Sequence, residues 1–150
     1  MNTAIQQRET RGCLPRPKIL PRRPSPRPSN TPESERWHAY IDSLDARIER
    51  REISGRQREA LCSIWQRARQ RFPALRHPSV GRTDDAWLHL SWTYADLPGL
   101  SFTIDIDPDG HLEWFYRNVK DGKTLGTEDD LETGLSEEAM QYLLPFEQQR

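Results

Sequence analysis

The run 105–110 (DIDPDG) has the residue types and spacing of a metal site. Carboxylates at alternate positions followed by glycine open a calcium-binding EF-hand loop, which also needs a bidentate glutamate at its twelfth position. That position is Tyr116, and proline stands at the fourth. The run is therefore better explained as a β-turn, and we predict no metal there.

Histidines and carboxylates form a second candidate site. No two of the four histidines have the spacing of a ligand pair, but His89, Asp105, His111 and Glu113 fall on one face of the predicted strands. Such a cluster can bind a metal or transfer protons. A solvated polar sheet face explains the same pattern, and we favour that explanation.

Motifs that would indicate an enzyme are missing from the sequence. It contains no Gly-rich phosphate loop, no nucleophile elbow and no Cys-x-x-Cys pair. We therefore predict a non-enzymatic protein with no catalytic residue, metal or cofactor. A metal-dependent enzyme that uses His89 and His111 is the least favoured alternative.

The run 114–116 (WFY) suggests a protein-binding surface. Alternate side chains of a strand face opposite sides, so Phe115 is turned away from its two neighbours. If the last helix covers Phe115, the residue belongs to the core. If nothing covers it, an aromatic patch suits a partner protein. The predicted partner-binding residues are Trp87, Phe115, Arg117 and Val119.

Basic residues supply a further set of candidate contacts. Residues 1–30 hold seven lysines and arginines against one glutamate, a net charge of +6. This Pro/Arg-rich segment has few apolar groups, so we expect a disordered basic arm. The second predicted helix adds a rough arginine stripe that could neutralise phosphates. The predicted nucleic-acid or acidic-partner contacts are Arg16, Lys18, Arg22, Arg23, Arg27, Arg56, Arg67 and Arg71.

Charge is distributed unevenly along the 150 residues. The net charge is +3 for residues 31–80 and −10 for residues 81–150. A chain polarised in this way can bind RNA, DNA or an acidic protein through its arm, or fold the arm onto its own acidic domain. No apolar run is long enough to span a membrane. The two cysteines lie far apart and fit no disulfide framework, so we expect a cytoplasmic protein.

Hydrophobic periodicity predicts an α+β domain over residues 31–150. Apolar spacing typical of helices predicts a helical hairpin over 31–73, whose second helix begins with a capping box of Ser54 and Gln57. A loop over 74–85 leads to a β-meander of three or four strands over 86–127. A last helix spans 136–146.

The register of the meander also follows from the sequence. A three-residue turn at 108–110 pairs Ile106 with Leu112 and keeps both strands' apolar side chains on one face. A two-residue turn would pair Ile106 with His111 and reverse the third strand. Proline and glycine stand where a type I turn with a left-handed third residue needs them.

Residues 87–126 contain the runs 90–92 (LSW), 104–110 (IDIDPDG) and 112–117 (LEWFYR). In these runs the segment resembles one found in small bacterial proteins with no assigned activity. The resemblance covers about a quarter of the chain and implies a bacterial or phage origin. It brings no catalytic residues.

The function most consistent with these features is that of a non-catalytic protein-interaction module. Such a chain would be a small accessory, immunity or antitoxin-like subunit of a larger bacterial complex. A nucleic-acid-associated factor that uses the arm and the second helix is the main alternative. The expected partner is another protein, with nucleic acid second and no membrane.

Overall fold

A computed structural model describes residues 32–126 and 134–148, with helices packed on one five-stranded antiparallel sheet. This confirms the predicted α+β class, with N-terminal helices, a strand meander and a C-terminal helix. The strands follow the order β1-β2-β3-β4-β5 across the sheet. The elements are α1 (Pro32–Asp42), α2 (Leu44–Glu49), α3 (Gly55–Arg71), β1 (Ser79–Arg82), β2 (Leu88–Thr93), β3 (Leu100–Ile106), β4 (Leu112–Asn118), β5 (Lys123–Gly126), α4 (Glu137–Gln141) and a 3-10 helix (Leu144–Phe146).

Strand β1 corrects the predicted loop over 74–85. Its four residues pair with β2, with Ser79 opposite Ser91 and Arg82 opposite Leu88. A strand of four residues has too few positions to show a period-two pattern in the sequence. It forms here because it pairs with β2 at the edge of the sheet. The sheet therefore has five strands instead of three or four.

The predicted register is confirmed in the β3–β4 hairpin. Ile106 pairs with Leu112, and Gly110 has a φ of 88°, the left-handed conformation that the turn requires. The side chain of Asp107 adds support, since its Oδ1 accepts hydrogen bonds from the backbone N–H groups of Asp109 and His111 at 3.0 and 2.9 Å.

Two predicted helices are interrupted in the structure. The first breaks at Ser43, whose hydroxyl donates to the carbonyl of Tyr40 at 2.8 Å. Such a local side-chain bond competes with helical pairing. The last helix ends at Gln141 and resumes as the 3-10 helix, because Pro145 cannot donate to an α-helical ladder.

The helices and the C-terminal segment bury one face of the sheet. Trp37 of α1 packs against Trp65 of α3 with 4.6 Å between ring centroids. Tyr142, after α4, stacks on Trp114 and Tyr116 of β4 at 5.9 and 4.6 Å. The predicted last helix therefore covers the even-numbered face of the meander, not the face that carries Phe115.

Gln57 links the start of α3 to the sheet. The capping box is confirmed: the Ser54 hydroxyl accepts from the Gln57 N–H at 3.1 Å, and the Gln57 Oε1 accepts from the Ser54 N–H at 2.8 Å. Gln57 also donates through Nε2 to the carbonyls of Ala86 and Ile106 at 2.9 and 3.0 Å. Ser54 donates to the Pro108 carbonyl at 2.6 Å, so the helix N-terminus is attached to both hairpins at this end of the sheet.

Gln57→Leu is expected to lower the free energy of unfolding by about 2–4 kcal/mol, because it leaves buried backbone groups without partners. Urea denaturation followed by circular dichroism measures the change. Gln70→Leu, the same substitution at an exposed position of α3, is the control, with an expected change within about 0.5 kcal/mol. Equal losses in the two variants would contradict the role given to Gln57.

Cys62 is buried in α3 and disulfide-bonded, whereas its spacing from Cys13 predicted no disulfide framework. The spacing argument missed this bond, because sequence separation alone does not decide whether a cysteine is bonded. Disulfides are rare in a reducing cytoplasm, and the cytoplasmic location stays a prediction. Cys13 and the rest of the predicted arm lie outside the described residues.

In protein purified without reductant, Cys62 is expected to resist alkylation by iodoacetamide even after unfolding in urea. Reduction before alkylation should make it fully reactive, which is the internal control. Peptide mass spectrometry reads out both samples. Complete alkylation of Cys62 in the unreduced sample would show that the bond does not form.

Candidate functional site: the open face of the sheet

The odd-numbered side chains of β2, β3 and β4 define the open face of the sheet. In the described part of the chain, every buried position of these strands is even-numbered, and every odd-numbered position is half-buried or exposed. Strand pairing arranges the open face in rows that run across the sheet. The first row is Gly81, His89, Asp105 and Glu113; the second is Ser79, Ser91, Thr103, Phe115 and Gly126; the third is Thr93, Ser101, Arg117 and Thr124.

The first row contains the acid–base pair of the open face. His89 Nδ1 and Asp105 Oδ1 lie 2.5 Å apart on neighbouring strands, and their side chains are 41% and 23% exposed. The hydrogen bond to Asp105 raises the pKa of His89, and burial opposes it. This arrangement orients the imidazole, as a general base requires, and leaves the pair on an accessible surface.

Glu113 continues the row beside Asp105. The pKa of Glu113 is raised, mainly because it is partly removed from water and also because the Asp105 carboxylate is near. Like charges on facing strands destabilise each other, so a cation that reached both carboxylates would relieve the repulsion.

The structure separates His89 from His111, the other histidine of the candidate polar cluster. His111 Nδ1 lies 3.7 Å from Asp107 Oδ2, whereas His89 contacts Asp105. The two histidines belong to the β2 and β4 sides of the sheet, two strand spacings or about 10 Å apart. One ion with bonds of about 2 Å does not reach both imidazoles directly in this arrangement.

The β3–β4 turn gathers three potential ligands. Ligand atoms of Asp107, Asp109 and His111 all lie within 4.8 Å of one another. Asp107 is nearly buried, and its Oδ1 already accepts two backbone hydrogen bonds that hold the turn. The turn prediction for this run accounts for the geometry without an ion.

The second row forms a flat centre around one aromatic ring. Its members other than Phe115 carry no side chain larger than threonine. Phe115 lies against Gly126 of β5, where an added Cβ would come 2.5 Å from the Trp114 carbonyl oxygen and 2.7 Å from the Phe115 Cδ1. Glycine is therefore needed opposite this ring, and Phe115 covers a backbone that lacks its own side chain.

The predicted partner-binding residues do not form one patch. Phe115 and Arg117 are neighbours on the open face of β4, half-buried and exposed respectively. Trp87 lies just before β2, at the end of the sheet that contains the Asp107 turn. Val119 follows β4 at the opposite end, 56% exposed, with its N–H bonded to the Gly99 carbonyl at 2.8 Å.

Most of the predicted basic contacts lie elsewhere. Arg67 and Arg71 both bond to the Glu137 carboxylate of α4, at 3.3 and 2.6 Å, so they hold two helices together. Arg56 is exposed in the first turn of α3, beside Gly110. Arg16, Lys18, Arg22, Arg23 and Arg27 lie outside the described residues.

Sequence reasoning missed that two acidic turns lie at the same end of the sheet. Leu88 pairs with Ile106, so the β1–β2 turn with Asp84 and Asp85 lies at the same end as the Asp107 turn. The missing information was β1, because without it residues 84–85 belong to a loop of no fixed position. The charge of −10 over residues 81–150 was the signal available in the sequence.

No protein-family model, curated protein or solved structure matches the chain. The resemblance of residues 87–126 to a segment of small bacterial proteins therefore stays a prediction. No helix in the described residues is long and apolar enough to cross a membrane.

Asp105→Asn is expected to lower the pKa of His89 toward its ordinary value of 6.5. The bond raises the folded-state pKa, so it stabilises the fold fully below the unfolded-state pKa and its contribution is lost as the pH rises through the folded-state pKa. Because the His89 side chain is 41% exposed, this contribution is at most about 1 kcal/mol. Asp109→Asn removes the same charge without touching His89, and NMR titration of the imidazole compares the two. An equal drop in both variants would mean that general charge, not the hydrogen bond, sets this pKa.

Proposed function

We propose that this chain is a non-catalytic protein-interaction module that docks a partner on the open face of its sheet. As a small accessory, immunity or antitoxin-like subunit of a larger bacterial complex, it would act by occupying a surface of its partner. The observation that carries the proposal is the asymmetry of the sheet. Helices and the C-terminal segment bury the even-numbered face, while the odd-numbered face of β2–β4 has no fully buried residue.

The centre of the open face has features of a binding hot spot. Aromatic residues and arginine are enriched among the residues that dominate binding energy, and Phe115 and Arg117 lie two positions apart on β4. Small hydroxyl side chains surround them, so a partner can approach the backbone closely. The surface belongs to paired strands, so little conformational entropy is lost when a partner binds.

Arg117→Glu tests the proposal most directly, because Arg117 is exposed and its replacement leaves the core intact. The full chain, the variant and the control Arg36→Glu are each used to capture proteins from an extract of the source organism at physiological salt. Arg36 is exposed on α1, in the layer behind the sheet. Quantitative mass spectrometry should find a protein held by the wild type and the control and reduced about tenfold with Arg117→Glu.

Two results would contradict the proposal. One is capture of no specific protein by the wild type. The other is a partner retained equally by all three forms, because binding would then use a different surface. Matching circular dichroism melts of the three forms exclude unfolding as the cause of any loss.

A further inference from the structure

We infer that the partner presents a basic, lysine- or arginine-rich segment, which binds the acidic end of the open face. This inference rests on the proposed function and adds the chemistry of the partner. The acidic end comprises six carboxylates and two histidines: Asp84, Asp85, Asp105, Asp107, Asp109, Glu113, His89 and His111.

The fold collects these groups from separate parts of the chain. Asp105 and Glu113 face each other across β3 and β4, with His89 beside Asp105 on β2. Two turns extend the same end of the sheet: the β1–β2 turn, and the β3–β4 turn that begins at Asp107. Their tips, Asp109 and the pair 84–85, are exposed.

The acidic end differs from the rest of the described chain in how its charge is compensated. Elsewhere, several carboxylates form ion pairs with arginine: Asp45 with Arg58, Glu52 with Arg47 and Arg50, Asp96 with Arg76, and Glu137 with Arg67 and Arg71.

At the acidic end, the described residues show ion pairs only with histidine, Asp105 with His89 and Asp107 with His111. Two arginines lie nearby. Arg56 of α3 lies beside Gly110 of the Asp107 turn, but it forms no ion pair within the described residues. Arg82 pairs with Leu88, so it belongs to the helical side of the sheet, where its charge lowers the pKa of Tyr40 against the larger effect of burial. Within the described residues, Asp84, Asp85, Asp109 and Glu113 form no ion pair, and carboxylates concentrated at one accessible end of the sheet attract a complementary cationic surface.

The spread of the charge favours a basic segment over a single ion. The carboxylates extend across three strands, each about 4.8 Å from the next, and into two turns. That width suits several ammonium or guanidinium groups on one chain. The residues whose ligand atoms lie closest together are Asp107, Asp109 and His111, and there Asp107 Oδ1 already accepts hydrogen bonds from two backbone N–H groups. The second row of the open face has small side chains around Phe115, so the backbone of such a segment can lie next to the carboxylates without a steric clash.

A defined peptide tests this chemistry on the full-length protein. The probe is an octapeptide of alternating lysine and serine, and its fully acetylated form is the uncharged control. Amide NMR shifts locate the binding site, and their concentration dependence gives the affinity. The test variant is Asp105→Asn with Glu113→Gln; the matched control is Glu49→Gln with Glu138→Gln, which removes the same charge at exposed helical positions.

The expected result is a set of shifts confined to His89, Asp105, Glu113 and the two turns. The affinity should fall at least fivefold in the test variant and less than twofold in the control. Shifts elsewhere, equal losses in both variants, or equal binding of the acetylated peptide would overturn the inference. It would also be overturned if micromolar Ca²⁺ or Zn²⁺ bound the 107–111 turn and displaced the peptide, since the end would then be a metal site.

Failure of this inference can be told apart from failure of the proposed function. A captured partner that depends on Arg117 but binds the Asp105→Asn, Glu113→Gln variant as tightly as the wild type leaves the open face as the docking surface. That result contradicts only the inference that the partner binds through a basic segment. A partner that loses binding with this variant and keeps it with the control variant supports both.

Discussion

The side-chain amide of Gln57 joins the two layers of this protein at a single buried point. Its oxygen completes the capping box of α3, and its nitrogen serves the carbonyls of Ala86 and Ile106, where β2 is about to begin and β3 ends. One residue thereby fixes the helix N-terminus against both hairpins. The positions of the acidic turns depend on this contact, because the same helix start also holds the Pro108 carbonyl.

Much of the fold could be predicted from the sequence because its local motifs and its hydrophobic pattern favour the same structure. The capping box, the three-residue turn and the alternation of the meander each point to the same register, and the structure has that register. Where the signals were weak, the prediction was incomplete. Strand β1 depends on pairing with β2, and the break at Ser43 depends on one side-chain hydrogen bond.

The candidate site was predictable only in part. Alternation along a strand shows which side chains share a face of the sheet, but not which of them lie within contact distance. Alternation placed His89, Asp105 and Glu113 on one face, and the strand pairing brings them into one row. Alternation could not show that His111 contacts Asp107 instead. Arg67 and Arg71 looked like a free stripe because their partner, Glu137, is distant in sequence.

The strict separation of odd and even positions in β2–β4 bears on how such a protein can change. Substitutions at odd positions alter the open face and leave the core side chains unchanged, because the two sets of side chains lie on opposite sides of the sheet. The surface can then diversify at little risk to folding. A lineage of such chains could follow a changing partner by replacing single open-face residues, provided that glycine stays opposite Phe115.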